Sequence, residues 1–270
     1  MTNGENSNPE FKSAGNKNKI RHIVGVMSGK GGVGKSTMTT LIAKKLNSEG
    51  YRVGILDADI TGPSIPRLMH IDNQTAYSDG DNIIPVTAPN GIKVISLNLI
   101  MDDESKPVIW RGPMIGSVVQ QFYSDVLWGD LDYLLIDMPP GTGDVALTVM
   151  KSIPIKGVVM VSMPQNLVSM IVSKAVNMAK QMNVPVIGII ENMSYIQCPN
   201  CSEKIKMFDD EGWDEFIKEH SLDMLAELPM SPEVVKLSTE GIGEVSQELD
   251  EILAGIVEKV STFCKRRIIL

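Results

Sequence analysis

The amino-acid sequence predicts an α/β domain with a doubly wound, mostly parallel sheet and helices on both of its faces. Short apolar runs alternate along the chain with segments whose apolar residues recur at helical spacing. The predicted strands are apolar on both faces, as is typical of parallel strands covered by helices. At 270 residues, 43% of them hydrophobic and 21% charged, the chain has enough apolar surface for a sizeable core.

The predicted elements follow one another without an internal repeat. The expected strands are 23–27, 53–56, 133–136, 158–161 and 186–190. Segments 83–87 and 92–97 flank the turn signal Asn90-Gly91, which predicts a local hairpin. The first helix is expected to follow residue 34, because Met38, Leu41, Ile42 and Leu46 recur at helical spacing. Later helices are expected at 113–127, 167–182, 213–219, 232–238 and 245–263.

We expect three regions along the chain. Residues 1–19 contain almost no apolar side chains and are interpreted as a flexible tail. Residues 20–264 form the α/β domain, with a small cysteine-bearing excursion near 192–210, and residues 265–270 form a C-terminal tail.

The overall charge and the cysteine count exclude several classes of protein. The net charge of −8 argues against a general nucleic-acid coating role, which requires a basic surface. We find neither an apolar run long enough to span a membrane nor the order of a signal peptide, so no stable membrane association is expected. Three cysteines without a secretion signal favour reduced thiols in the cytoplasm.

A glycine-rich segment between the first strand and the first helix has the pattern G-x-x-x-x-G-K-[ST], typical of the phosphate loop of P-loop NTPases. Its backbone N–H groups would cradle the phosphates of a nucleotide at a helix N-terminus. Lys35 is expected to reach the β- and γ-phosphates and Ser36 to bind Mg²⁺, so ATP and Mg²⁺ are the expected cofactors. Lys30 is an additional cation, interpreted from the loop alone as a solvated lysine. The predicted nucleotide-binding residues here are Gly29, Lys30, Gly31, Gly32, Val33, Gly34, Lys35, Ser36 and Thr37.

Polar residues close three of the predicted strands, at the edge of the sheet where ligands bind. Asp137 is placed to hold Mg²⁺, although it could also cap a tight turn. Of Asp57 and Asp59, one is placed to touch Mg²⁺ and the other to orient the attacking water, and both could instead be turn carboxylates. The amide of Asn192 matches the paired edge of adenine, although asparagine at a strand end also serves as turn chemistry.

Cys198 and Cys201 form a C-x-x-C pair that can place two sulfurs on one metal centre. Zinc and [4Fe–4S] sites usually take four protein ligands, and no second pair follows. This count favours a site shared between two chains. A redox dithiol, a zinc site completed by His220 or Cys264, and an inert turn remain as alternatives. Cys264 is interpreted as a buried or tail thiol.

The phosphate loop, with its additional Lys30, resembles the deviant Walker A motif of the MinD, ParA and nitrogenase iron protein class. Four further segments resemble the Mrp-type iron–sulfur cluster carriers of the ApbC/Nbp branch: 57–66, 110–114, 137–144 and 192–201. The resemblance spans about residues 21–260. It implies a homodimer in which Lys30 reaches the partner's nucleotide and Cys198 and Cys201 hold a bridging [4Fe–4S] cluster. By the same resemblance Asp59 is the carboxylate that directs water, Asp137 is the metal-side aspartate and Asn192 reads adenine.

The function expected from these features is an ATP-hydrolysing carrier that delivers [4Fe–4S] clusters to apo iron–sulfur proteins. The predicted catalytic residues are Lys30, Lys35 and Asp59. The predicted metal-binding residues are Ser36, Asp57 and Asp137 for Mg²⁺, and Cys198 and Cys201 for the cluster. The alternative is a positioning ATPase of the MinD/ParA kind, for which the basic and apolar segment 263–270 could touch anionic lipid.

Overall fold

The computed structural model describes residues 17–60, 62–101, 112–164, 168–198, 200–201, 203–206, 213–234, 236 and 245–266. Its strands are β1 (Lys19–Ser28), β2 (Val53–Asp57), β3 (Tyr77–Ser78), β4 (Ile83–Ile84), β5 (Val86–Thr87), β6 (Lys93–Ile95), β7 (Asp130–Asp137), β8 (Gly157–Ser162), β9 (Val186–Gln197), β10 (Lys204–Lys206) and β11 (Met224–Pro229). Its helices are α1 (Lys35–Ser48), α2 (Ile65–Leu68), α3 (Gly112–Ser124), α4 (Asp144–Ser152), α5 (Val168–Gln181), α6 (Trp213–His220) and α7 (Gln247–Arg266).

Nine strands form one sheet, in the order β10-β9-β8-β1-β7-β2-β6-β5, with β11 paired to β9. The pairs β8–β9, β1–β8, β1–β7, β2–β7, β2–β6 and β9–β11 are parallel, whereas β10 and β5 pair antiparallel at opposite ends. Every residue of β2 and β8 is buried, as expected for parallel strands covered on both faces. The predicted doubly wound α/β fold is confirmed.

In the first βα unit, formed by β1 and α1, the apolar residues predicted for the helix pack into the core. Met38, Leu41, Ile42 and Leu46 are all buried on α1 and belong to the main hydrophobic core. Strand β1 lies between β7 and β8 in the sheet. The loop between β1 and α1 therefore lies at the carboxyl end of a central strand, where doubly wound sheets bind ligands.

The hairpin at Asn90-Gly91 forms, but with shorter strands than predicted. Strand β5 pairs antiparallel with β6, and Gly91 takes the positive φ of 86° that such a turn requires. Ile83 and Ile84 instead pair with Tyr77 and Ser78 in a separate two-stranded sheet. Only the second half of the predicted first strand therefore belongs to the hairpin.

Both ends of the predicted domain differ slightly from the structure. The side chain of Asn18 accepts a hydrogen bond from the N–H of Gly129, and β1 begins at Lys19, so the domain includes residues expected in the tail. Helix α7 continues through Arg266. Residues 1–16 and 267–270 lie outside the described residues, as does part of the predicted helix 232–238. None of the helices in the described ranges is long and apolar enough to span a membrane.

Candidate functional site

The glycine-rich segment between β1 and α1 forms a loop of the expected shape. Gly32 and Gly34 have φ angles of 81° and 88°, a conformation that side chains with a Cβ rarely adopt. The hydroxyl of Ser28 donates a 2.9 Å hydrogen bond to the carbonyl of Lys30 and braces the start of the loop. The loop borders a cleft of about 360 Å³, which is lined by Ser28, Gly31, Gly32, Gly34, Lys35, Ser36, Thr37, Asp59, Gly62, Ser64, Leu68 and Pro140.

Lys35 and Asp137 form a buried ion pair at the base of the cleft. Lys35 Nζ lies 2.7 Å from Asp137 Oδ2, and the side chain of Asp137 is completely buried. The Ser36 hydroxyl donates to the same oxygen at 2.6 Å, while the Thr39 hydroxyl donates to Oδ1 at 2.8 Å. The structure thus brings together the predicted Lys35, Ser36 and Asp137, and three donor side chains, including that of Thr39, converge on the Asp137 carboxylate.

Asp57 lies beside Asp137 at the ends of neighbouring parallel strands. The N–H of Asp59 donates to its Oδ1 at 3.1 Å and the Ser96 hydroxyl donates to its Oδ2 at 3.0 Å. Burial, and secondly the negative charge of Asp137, raises the pKa of Asp57 to about 8. The surroundings of Asp57 therefore favour the neutral form of its carboxyl group.

Of the two remaining charged residues of the predicted nucleotide site, Asp59 lines the cleft and Lys30 lies on the phosphate loop. Asp59 Oδ2 lies 3.7 Å from Lys35 Nζ, and its side chain is 13% exposed toward the cleft. Lys30 is half-buried on the loop. Its contact with a partner's nucleotide stays a prediction, as does the role of Asp59 in directing water.

Asn192 contacts the phosphate loop. Its side chain is fully buried, and Nδ2 donates a 2.9 Å hydrogen bond to the carbonyl of Val33. Its Oδ1 is buried and has no hydrogen-bond partner among the described residues. The predicted contact with adenine stays a prediction, while the contact that the structure does show braces the loop.

Sequence reasoning missed Thr39 and Ser96. Thr39 lies one helical turn after Lys35, so its hydroxyl shares the face of α1 that points at Asp137. That spacing of four residues was a signal that could have identified it. Ser96 follows β6 and reaches Asp57 only because β6 lies beside β2 in the sheet, which no local pattern encodes.

Cys198 and Cys201 lie at the tip of a hairpin formed by β9 and β10. Strand β9 continues beyond the sheet core, and Lys204–Lys206 pair antiparallel with Gln197–Tyr195. The N–H of Cys198 donates to the carbonyl of Glu203 at 2.9 Å and closes the hairpin. Both thiols are reduced, Cys198 half-buried and Cys201 exposed. The N–H groups of Asn200 and Cys201 hold the pKa of the Cys198 thiol below its usual range.

The two residues considered as further metal ligands beside these cysteines, Cys264 and His220, make other contacts in the fold. Cys264 is completely buried on α7, and burial raises the pKa of its thiol to about 11. The ring of His220 packs edge-on against Phe216, and its Nε2 lies 3.3 Å from the Ser173 hydroxyl. Across the described ranges, no group of three or more His, Cys, Asp or Glu side chains is placed to hold a metal ion. A zinc site completed by Cys264 or His220 within one chain therefore finds no support there.

Comparison with known proteins identifies the family of this chain. The profile of a protein family described as "ParA: NUBPL iron-transfer P-loop NTPase" matches residues 19–263, which include both features. The chain belongs to this family. The resemblance of its motifs to this class of P-loop NTPases is thereby confirmed.

Several members of this iron-transfer NTPase family resemble the chain over most of its length. A Clostridium perfringens protein named iron-sulfur cluster carrier protein is 48% identical over 248 residues, which cover 89% of this chain and 87% of the relative. A Kluyveromyces lactis protein named cytosolic Fe-S cluster assembly factor CFD1 is 40% identical over 231 residues, covering 83% and 82% of the two chains.

Solved structures agree with the fold of this NTPase family. A nucleotide-binding protein from Archaeoglobus fulgidus, solved in complex with ADP, is 41% identical and has a TM-score of 0.72 over 82% of this chain and 87% of its own. The MinD cell division protein in the MinC:MinD complex of Aquifex aeolicus has a TM-score of 0.66 at 17% identity, over 89% and 96% of the two chains. At that identity the likeness to MinD shows the fold alone.

Proposed function

We propose that this protein is an ATP-binding and slowly ATP-hydrolysing carrier that holds a [4Fe–4S] cluster between two copies of the chain and transfers it to apo iron–sulfur proteins. The observation that carries the proposal is the presence, in one sheet, of a phosphate loop at β1 and a pair of thiols, one half-buried and one exposed, two strands away at the end of β9. The names of its relatives, iron-sulfur cluster carrier and Fe-S cluster assembly factor, support the same function.

On the nucleotide side, the residues fit MgATP. Lys35 would leave Asp137 for the β- and γ-phosphates, while the N–H groups of the loop bind the remaining phosphate oxygens. The hydroxyl and carboxylate oxygens of Ser36, Asp57 and Asp137 are the ligand type that Mg²⁺ prefers. When bound there, Mg²⁺ would neutralise the charge that develops on the phosphates. Asp59, which borders the cleft, would orient the attacking water, and Lys30 would contact the nucleotide of the partner subunit.

On the cysteine side, the thiols of Cys198 and Cys201 would supply half of the ligands that a [4Fe–4S] cluster takes. A second copy of the chain would supply the other half, which makes the homodimer part of the cluster site. The cluster is the cargo, so its thiolate ligands need to be accessible. Their position at the tip of a hairpin, where the Cys201 side chain is exposed, supports transfer to an apo-protein.

We place this activity in the cytoplasm, with apo iron–sulfur proteins as partners and neither nucleic acid nor a stable membrane contact. The net charge of −8 supports that choice of partners. Co-sedimentation of the protein with anionic vesicles or DNA in the presence of ATP would instead support the positioning ATPase that we considered as the alternative.

Reconstitution with iron and sulfide under anaerobic conditions tests the cluster. We expect the wild-type protein to bind iron and sulfide, with the visible absorbance of a [4Fe–4S] cluster, and to migrate as a dimer. The variant Cys198→Ser/Cys201→Ser is expected to lose the bound iron. The matched control is Cys264→Ala, which removes a buried thiol that lies on α7, away from the hairpin. Unchanged iron content in the double variant would contradict the proposal.

The metal content of protein purified without oxygen separates a cluster carrier from a zinc-stabilised ATPase. We expect iron and acid-labile sulfide in excess of zinc. One zinc atom for every two chains, without sulfide, would contradict the proposed iron–sulfur cluster but not the proposed ATPase activity.

A further inference from the structure

Strand β9 contains a bulge. The bulge begins at Asn192, which contacts the phosphate loop, and it precedes the hairpin that carries the two cysteines. Glu191 pairs with Glu227 of β11 and Tyr195 pairs with Pro229, so three residues of β9 lie opposite the single Leu228. The middle residue of the three, Met193, has a φ of 57°. A long side chain rarely adopts this left-handed conformation, and strain of this kind persists only where the surrounding structure imposes it.

The first residue of the bulge is Asn192, which holds the phosphate loop. Its Nδ2 donates to the carbonyl of Val33. A Cβ on Gly34 would lie 2.3 Å from the same nitrogen, so the loop and the amide fit against each other with no space for a side chain. A movement of the loop near Val33 or Gly34 must therefore displace Asn192 or break its hydrogen bond.

Beyond the bulge the strand is held firmly as far as the cysteines. The carbonyl of Tyr195 accepts a 2.7 Å hydrogen bond from the N–H of Met230, and the Lys204 ammonium lies 4.2 Å from the centre of the Tyr195 ring. Cys198 follows Asn192 by six positions, which is about 20 Å of extended chain. Strand β10 pairs with β9 from Tyr195 to Gln197, so a change of direction at the bulge would move both strands of the cysteine hairpin together.

We propose that Asn192 is a positioning residue that couples the phosphate loop to the cysteine pair through the bulge of β9. The proposal rests on the proposed function, since it assigns the regulation of that cluster site. When the loop closes on nucleotide phosphates, the Val33 carbonyl moves relative to Asn192, the bulge changes its conformation, and the hairpin that carries Cys198 and Cys201 changes its exposure.

The physical basis of this coupling is that packed elements switch between discrete arrangements. A bulge bends its strand and re-aims the side chains near it, and bulges are frequent next to active sites. The Oδ1 of Asn192 is buried and has no hydrogen-bond partner in the described part of the chain. It can therefore accept a new hydrogen bond when the loop moves. Both sites then bias one element, which is the physical requirement for coupling.

The rate of thiol alkylation in the cluster-free protein tests the coupling. Iodoacetamide labelling at Cys198 and Cys201 is followed by mass spectrometry with no nucleotide, with MgADP and with MgATP, while the buried Cys264 reports unfolding. We expect saturating nucleotide to change the rate by about fivefold or more, the lower end of typical allosteric coupling. The variant Asn192→Asp keeps the shape but loses the donor to Val33, and it is expected to lose this response.

Two further variants keep the test independent of folding. Ser194→Ala removes a different hydrogen bond of the bulge, to Glu191, and is expected to respond as the wild type does. Met193→Gly keeps the amide contact but removes the conformational constraint, so we expect wild-type nucleotide affinity with a weakened response. Affinity is measured separately with a fluorescent ADP analogue for every variant.

The outcomes separate this inference from the proposed function. If the wild type binds nucleotide and takes up iron but its labelling rate does not change, the coupling is wrong and the carrier function stands. A wild-type response in both Asn192→Asp and Met193→Gly would overturn the coupling as well. Failure of the wild type to bind nucleotide would overturn both proposals.

Discussion

The hydroxyl of Thr39 donates a 2.8 Å hydrogen bond to Oδ1 of Asp137, at the centre of the buried polar cluster beneath the phosphate loop. The carbonyl oxygen of Lys35 lies 3.0 Å from the same hydroxyl and competes for its single proton, one helical turn back along α1. The carboxylate of Asp137 therefore receives donors on both of its oxygens. Such full pairing is what makes a buried carboxylate tolerable in a hydrophobic sheet.

We predict that Thr39→Val destabilises the protein by about 1–3 kcal/mol, because one oxygen of Asp137 loses its donor. The control is the neighbouring Thr40→Val, which has the same shape change on the same helix. The Thr40 hydroxyl is buried without a partner among the described residues, so its loss is expected to change the free energy of unfolding by no more than about 0.5 kcal/mol. Urea unfolding measures both, and equal losses would contradict the prediction.

Lys35→Ala is predicted to lower the affinity for MgADP at least about tenfold, since charge-assisted hydrogen bonds contribute roughly 1.5 kcal/mol or more. Isothermal titration calorimetry gives the affinity directly. Lys45→Ala serves as the control, because Lys45 lies on the same helix and its 2.8 Å ion pair is with Asp250, outside the cleft. The role of Lys35 is contradicted if both variants bind the nucleotide equally well.

The pH dependence of stability is predicted to report Asp57. Its pKa is about 8 in the folded protein and near 3.8 when unfolded, so the folded state binds the additional proton between these values. The stability that Asp57 contributes is complete below pH 4 and is lost as the pH rises toward 8. Asp57→Asn removes this dependence.

The measurement is the urea midpoint of both proteins at several pH values from 5 to 8, with EDTA and no nucleotide. Other titrating groups affect both proteins, so the difference between them isolates Asp57. We expect the variant to gain stability relative to the wild type as the pH rises. A constant difference across this range would show that Asp57 titrates normally.

Gly34→Ala is predicted to destabilise the protein by about 1–3 kcal/mol, because position 34 has a φ of 88° and the new Cβ would lie 2.3 Å from Asn192 Nδ2. Gly31→Ala is the matched control in the same loop. No atom lies within 4 Å of a Cβ there, so it is expected to unfold at the wild-type urea concentration or slightly above it. Equal destabilisation of the two variants would refute the steric argument.

The sequence was most informative where function depends on a contiguous motif. The loop of residues 29–36 and the carboxylates at the strand ends were identified without a structure, because parallel strands bring their carboxyl ends to one edge. Thr39 and Ser96 were missed, since their roles depend on side chains from other elements. The same holds for the contact between Asn192 and Val33, whose residues are separated by 159 positions.

Some strands are not predicted in full because polar residues interrupt the apolar pattern that marks a buried strand. Strand β9 was predicted to end at Ile190, since the following Glu191 and Asn192 are polar, yet both are buried and the strand continues to Gln197. Strand β11 contains Glu227 and Pro229 and lies at the edge of the sheet beside β9, so it lacks the continuous apolar run of the central strands. Helix α4, which follows the loop after Asp137, was also not predicted.

In the ion pair of Lys35 and Asp137, the positive charge of the phosphate-loop lysine is already balanced by a carboxylate of the protein itself. A free phosphate, or a nucleotide without a cation, would draw Lys35 away and leave the fully buried Asp137 with hydroxyl donors only. A nucleotide that arrives with its own divalent cation returns a positive charge to that carboxylate as it takes the lysine. We therefore expect the loop to bind a nucleotide with its divalent cation in preference to a simple anion.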